Sequence, residues 1–287
     1  MTNAVKILFH DDSDGYCSAL AAYLVYGLNA EYICVQYGQA FPNIKLDKQT
    51  EIYILDFSYS REILDEVNNK VYSLKVIDHH ASAQEELNGA YYAIFDMTKS
   101  GAVLSWEYFH PKKEIPFIFK IVQDRDLWKF DYPESKLFES GIKASGKSKN
   151  LANWFMLYSD DDYLAKTIEK GKIIKEIEDG VIANFISTKK FKIVNFRGHK
   201  VAVYNQTSLI SEMASAINLD EELNVDYTLS YFIEKEGKVI LSFRSGDRSN
   251  IDVKAIAKTF GGGGHIRSSG ASLSMSLGIL LLKELYE

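Results

Sequence analysis

The chain has 287 residues, 46% of them hydrophobic and 25% charged, with a formal net charge of −6. That is ordinary globular composition, long enough for a sizeable core and for two domains rather than one. The acidic balance argues against a long nucleic-acid duplex as partner, because such binding needs a basic face. The longest apolar run near the end, residues 277–282, is too short to span a bilayer.

Two cysteines, Cys17 and Cys34, lie in apolar runs and read as small buried residues, with no C-x-x-C and no disulfide framework. With no signal-peptide h-region after Met1, the expectation is a cytoplasmic protein in a reducing compartment, with no membrane partner.

In chain order, residues 5–9 read as a buried strand, 10–15 as a polar turn, and 16–26 as a helix stopped by Gly27. Strands follow at 32–36 and 52–57, a helix opens at Ser60, and another strand occupies 71–77. A short strand is expected at 91–95, then helices from Ser100 to about 109 and over 115–122. Ser100 reads as a helix N-cap rather than a nucleophile, since no Gly-x-Ser-x-Gly surrounds it. Strands alternating with helices imply a parallel sheet with right-handed crossovers. Residues 135–150 are polar, hold two glycines and read as a loop with some short helix, and 159–186 read as a long helix. Beyond it come a hairpin (191–196 and 200–204), a helix (211–217), a second hairpin (227–234 and 238–244, turning at Glu236-Gly237) and a helix (252–260) ending in four glycines. The fold class is therefore α/β: a parallel-sheet N-terminal domain and a smaller α/β C-terminal domain joined by a long helix. The expected boundaries are 1–130, 131–189 for loop and connecting helix, and 190–287.

Three apolar strands run into ligand-type residues. They end in His10-Asp11-Asp12-Ser13-Asp14-Gly15, in Asp56 and in Asp78-His79-His80. In an open α/β sheet the carboxyl ends of the strands are where ligands sit. Each motif alone is an ordinary surface turn or strand cap; their joint placement carries the argument. His10, Asp12, Asp14, Asp56, His79 and an acid near residue 124 mix carboxylate with imidazole and include no thiolate. That set suits Mn²⁺, Mg²⁺ or Fe²⁺ and not structural zinc. So many carboxylates would repel one another around one ion. Two cations about 3.5–4 Å apart would neutralise them, with Asp56 as the natural bridge. The run Gly261-Gly262-Gly263-Gly264 costs backbone entropy, which is repaid where backbone approaches a ligand or offers N–H groups to an anion. Arg244, His265 and Arg267 stand with it as candidates for holding a phosphate.

Together, His10-x-Asp12-x-Asp14-Gly15, Asp56, Asp78-His79-His80 and Gly261 to His265 followed by Ser268-Ser269-Gly270 resemble the DHH phosphoesterase family. The glycine-rich element resembles its associated C-terminal domain. The resemblance covers nearly the whole chain and favours the oligoribonuclease and RecJ-like branch; the glycine-rich element argues against the family II pyrophosphatases. It implies that His10 and Asp12 hold one metal, Asp14 and His79 the other, with Asp56 bridging. Asp78 would orient a ligand and His80 would face the substrate phosphate. The family's fourth acid is Asp124 or Asp126, which the sequence does not separate, the other pairing with Arg125. Gly262, Gly263, Gly264, His265, Arg267, Ser268 and Arg244 would bind substrate.

The expected function is a metal-dependent phosphodiesterase or phosphohydrolase. It would cleave small phosphorylated nucleotides or very short oligonucleotides with a hydroxide activated by two divalent ions, manganese first, magnesium or cobalt next. The rival of another class is a non-catalytic nucleotide-binding regulatory protein; within the enzyme class the alternatives are a single-strand exonuclease and a polyphosphatase. The oligomeric state is left open, a homodimer included.

Overall fold

The computed structural model describes residues 3–234 and 237–286; the expected turn residue Glu236 lies outside them. The chain divides into two units, Met1–Glu176 and Ile177–Glu287.

The first unit is built on β1 (Ala4–His10), α1 (Ser13–Tyr26), β2 (Ala30–Val35), β3 (Thr50–Leu55), α2 (Arg61–Lys70), β4 (Ser73–Asp78), α3 (Ala81–Glu86), β5 (Ala93–Phe95), α4 (Gly101–Phe109), α5 (Phe117–Asp126), α6 (Pro133–Ala144) and α7 (Leu151–Ser159). Its five strands are all parallel, in the order β2-β1-β3-β4-β5. Successive β1 side chains serve opposite faces, as strand geometry requires. Ile7 and Phe9 join a core with α1, α4 and α5, while Leu8 joins Leu64 and Val67 of α2 on the other face. Burial on both faces is why these strands read as continuous apolar runs. The strand order reverses between β1 and β3, so the ends of those two strands flank the crevice where such sheets bind ligands.

Two expectations are corrected here. Cys34 is exposed, because β2 is the edge strand of the sheet. The stretch read as a loop with some short helix, 135–150, is mostly helix α6, and α7 follows it; Phe138, Ile142, Trp154 and Leu157 from these helices are buried in the first unit's core. Gly141 does not break α6. A Cβ there would meet Thr167 O at 2.2 Å, and one at Gly171 would meet Leu137 O at 1.8 Å, so both glycines serve close helix packing.

Helix α8 (Asp161–Ser187) spans the division between the units. The second unit continues with β6 (Lys192–Phe196), β7 (His199–Asn205), α9 (Ile210–Leu219), β8 (Tyr227–Ile233), β9 (Lys238–Arg244), α10 (Val253–Lys258), β10 (Gly263–Gly264), β11 (Ser268–Ser274) and α11 (Met275–Tyr286). Its sheet runs β10-β11-β9-β8-β7-β6, with only β7 and β8 parallel. Val201 and Val203 of β7 pack in one core with α10 and α11, and Ala202 and Tyr204 in another with Phe185 and α9.

Candidate metal centre

Three loops deliver the donors. After β1 the chain turns into α1 with Asp12 as its N-cap, one carboxylate oxygen accepting from Gly15 N–H at 2.9 Å. Gly15 is required there, since a Cβ would lie 2.1 Å from His10 O. The other Asp12 oxygen lies 2.9 Å from His10 Nδ1. After β3, Asp56 leaves the sheet in the left-handed region, φ 54°, while its N–H still donates to Ile77 O at 2.8 Å. A non-glycine residue held so is strained by about 1–3 kcal/mol, and such strain clusters at functional sites. After β4 come Asp78, His79 and His80.

Asp14 sits on the first turn of α1 and is clamped from another element. The N–H groups of Gly101 and Ala102, at the start of α4, donate to its two oxygens at 2.7 and 3.0 Å. A helix N-terminus favours a carboxylate in this position. His79 Nε2 lies 3.2 Å from Asp56 Oδ1, 3.6 Å from Asp14 Oδ2 and 3.5 Å from Asp126 Oδ2. His10 Nδ1 lies 3.8 Å from Asp56 Oδ2. Donor atoms of His10, Asp12 and Asp56 fall within 4.8 Å of one another, and so do those of Asp14, His79 and Asp126. Asp56 faces both sets.

The geometry separates the two acids that the sequence does not. Asp124 is buried and turned to the following loop, accepting from the N–H groups of Asp131 (2.9 Å) and Tyr132 (3.1 Å) and from Ser135 Oγ (2.5 Å). Asp126 is the acid beside His79. The Arg125 guanidinium lies 4.2 Å from the centre of the Trp128 ring.

The charges around the site bear on what it would hold. Burial disfavours the imidazolium of His10, yet Asp12 and Asp56 outweigh it and raise His10 to about 11. His79 is likewise raised to about 11 against burial, by Asp56, Asp126 and Asp14. Burial, then the charges of Asp56 and Asp126, push Asp14 well above the carboxylate range. Asp126 keeps 29% of its side chain exposed but turns its carboxylate inward, and desolvation, then Asp56 and Asp12, lift it to about 6. Both oxygens of Asp56 are buried and accept no hydrogen bond of good geometry among the described residues. Buried carboxylates are normally paired or bound to metal. An oxygen-rich pocket with two imidazoles, which protonates itself when metal-free, fits divalent cations that take oxygen and nitrogen donors.

Behind the pocket, Asp78 Oδ1 accepts from the N–H of His79 at 2.7 Å and lies 2.7 Å from His80 Nδ1. Burial opposes the charges of this pair, but their attraction lowers Asp78 and raises His80. Asp78 therefore orients the His80 ring through Nδ1. Sequence reasoning missed Tyr37, just beyond β2, whose ring meets those of His10 and His80 edge-on at 5.3 and 5.7 Å. Only its place after the fourth strand end of the same sheet edge hints at it.

In the second unit, the β10–β11 hairpin turns through Ile266 and Arg267, closed by His265 N–H donating to Ser268 O at 2.8 Å. Arg244 Nη1 donates to Phe243 O at 2.9 Å. Most of the glycine run has a backbone reason: Gly261 has φ 74°, Gly264 has φ 132°, and a Cβ on Gly262 would lie 2.0 Å from Gly270 O.

A family model described as the DHHA1 domain matches residues 198–285, most of this second unit. An oligoribonuclease, NrnB of Bacillus subtilis, is 24% identical over 96% of the chain and 75% of its own length. The domain match and these similarities support a DHH-family phosphoesterase. DHH-family phosphoesterases such as NrnB are hydrolases of phosphoric ester bonds. An uncharacterised protein, R106 of Acanthamoeba polyphaga mimivirus, is 28% identical over 96% of the chain and 68% of its own length. Among solved structures, the pGpG-specific phosphodiesterase PggH from Vibrio has a TM-score of 0.53 at 14% identity, covering 98% of this chain and 97% of its own. The exonuclease RecJ bound to manganese has a TM-score of 0.52 at 14% identity, covering 98% and 88%. At these identities both establish the DHH fold.

Proposed function

We propose that this protein is a metal-dependent phosphodiesterase of the DHH type that cleaves small nucleotides or very short oligonucleotides. The observation that carries the reading is Asp56, whose two buried oxygens accept no good hydrogen bond and stand between His10 and His79. Its relatives fit that substrate class: one is named an oligoribonuclease and a structural neighbour a pGpG-specific phosphodiesterase.

His10 and Asp12 would hold one cation, Asp14, His79 and Asp126 the other, with Asp56 shared. When bound, such ions supply electrophilic activation of the phosphoryl group and acidify an attacking water, with manganese the first choice in view of the RecJ neighbour. The rest is done by the chain. The N–H groups of Gly101 and Ala102 fix Asp14, so that its carboxylate needs no reorganisation during turnover. Asp78 holds the His80 ring through Nδ1, and His80 is the group proposed to donate a proton toward a phosphate oxygen as negative charge develops there. In the second unit, Arg244, His265, Arg267, Ser268 and the glycines 262–264 are the groups proposed to bind the part of the substrate that does not react. Binding energy from such remote groups positions the scissile phosphate.

The test is turnover of a panel comprising a diribonucleotide, a cyclic dinucleotide, bisphosphorylated adenosine and polyphosphate, with Mn²⁺ and with chelator. The diribonucleotide should be cleaved with Mn²⁺ and spared with chelator. Failure to cleave any of them, or cleavage indifferent to chelation, contradicts the reading.

A further inference from the structure

A second feature of the first unit stands beside the metal pocket and takes no part in it. Helix α5 ends at Asp126, and Trp128 follows two residues later. Two residues of chain span at most about 7 Å, so Trp128 is tied to the rim of the pocket. The Trp128 and Phe130 rings meet edge to face at 4.9 Å, with 69° between their planes. The Arg125 guanidinium lies over Trp128 at 4.2 Å, and Lys136 Nζ lies over Phe130 at 4.1 Å. Trp128 keeps 37% of its surface in solvent, whereas Trp106 and Trp154 keep 3% and 0%.

The backbone is shaped to present this patch. Trp128 and Phe130 both occupy the left-handed region, at φ 57° and φ 60°, which large side chains avoid. The loop is held there by its surroundings: Lys129 N–H donates to Asp124 O at 2.9 Å, and the Asp124 carboxylate clamps the N–H groups of Asp131 and Tyr132. A chain reversal alone would be served more cheaply by glycine. Instead the loop exposes the Trp128 indole and gathers a half-buried phenyl ring, the half-buried Arg125 and the exposed Lys136 around it, in a protein of net charge −6.

We propose that Trp128, with Phe130, Arg125 and Lys136, is a nucleobase-stacking subsite for the nucleotide adjoining the scissile phosphate. Every base offers a π-face to an indole or a guanidinium, so the subsite selects nucleic-acid fragments over base-free phosphoesters without reading sequence. The cations face the phosphate of that nucleotide. This rests on the reading above that the substrate is a small nucleotide.

Two measurements on the full chain test it. Trp106 and Trp154 are buried, so a change of tryptophan emission on adding a purine diribonucleotide in chelator reports Trp128; the change should be absent in Trp128→Phe. In Mn²⁺, Trp128→Leu should raise KM for the diribonucleotide about 5- to 150-fold, the range of one base–aromatic stack. The loss should be several times smaller for an abasic diester of the same backbone, and Trp128→Phe should recover most of it. Equal losses on the two diesters would mean that Trp128 only braces Asp126, and would overturn the proposal. Unchanged emission with unchanged KM would overturn it too. If the wild type cleaves nothing, the proposed activity fails, and the emission titration alone still decides whether the subsite exists.

Discussion

Gly101→Ala is the perturbation that draws most directly on the geometry around Asp56. An added Cβ would lie 2.4 Å from Asp56 Cβ and 2.7 Å from Asp56 Oδ1. Carbon atoms in contact prefer about 3.5–4.0 Å, so something must move by roughly 1 Å. Asp56 is poorly placed to yield, since its left-handed backbone is tied to Ile77 O within the sheet. The start of α4 must then retreat, and with it the N–H groups that hold Asp14 at 2.7 and 3.0 Å. Alanine is the better helix former by about 1 kcal/mol. Overpacking costs about 1–3 kcal/mol, and each weakened hydrogen bond to the Asp14 carboxylate up to about 1.5–3 kcal/mol more. Loss should outweigh gain. Urea unfolding of the metal-free variant should show a lower midpoint with an unchanged slope, a net loss of about 1–3 kcal/mol. Calorimetric titration should show Mn²⁺ affinity falling about tenfold or more for at least one ion. A variant with wild-type midpoint and wild-type Mn²⁺ binding would refute the view that α4, Asp14 and Asp56 form one rigid site.

Three more predictions address other residues. His80→Ala should keep its metals but lose about 10²-fold in kcat, the usual cost of one charge-stabilising donor; loss of metal instead would make His80 a ligand. Asp126→Asn should weaken metal binding with little change in stability, whereas Asp124→Ala should destabilise by about 1–3 kcal/mol because three donors lose their acceptor; the reverse pattern in paired titration and unfolding experiments would overturn the assignment of the two acids. Finally, His10 and His79 are raised to about 11 in the metal-free protein and so are protonated at pH 8, while a ligating imidazole must be neutral. Loading should therefore release at least two protons, one from each imidazole, and affinity should rise with pH up to about 11. Calorimetry in buffers of different ionisation enthalpy measures the release; none, or affinity falling as pH rises, contradicts the prediction.

What could be read in the sequence, and what could not, follows from where the deciding contacts lie. The ends of β1, β3 and β4 were legible because a parallel strand buried on both faces is an unbroken apolar run, so Asp56 and Asp78 stand out where it stops. Asp124 and Asp126 were not separable, because the choice is made by the N–H groups of Asp131 and Tyr132 and the Ser135 hydroxyl, which approach from the following turn. The two glycines of 135–150 suggested a loop, whereas Gly141 lies within α6 as a close contact with α8. The glycine run suggested ligand binding, while at Gly261, Gly262 and Gly264 the backbone itself requires glycine. Cys34 shares its apolar neighbourhood with Cys17, and only the position of β2 at the sheet edge tells them apart.

The central claim is that Asp56 joins two cations in one pocket. Elemental analysis of Mn²⁺-loaded, desalted protein tests it directly, with wild type and Asp56→Asn measured side by side. The account predicts two equivalents per chain in the wild type and a loss of at least one in the variant. Full retention by Asp56→Asn, or a wild type that binds no manganese, would contradict it.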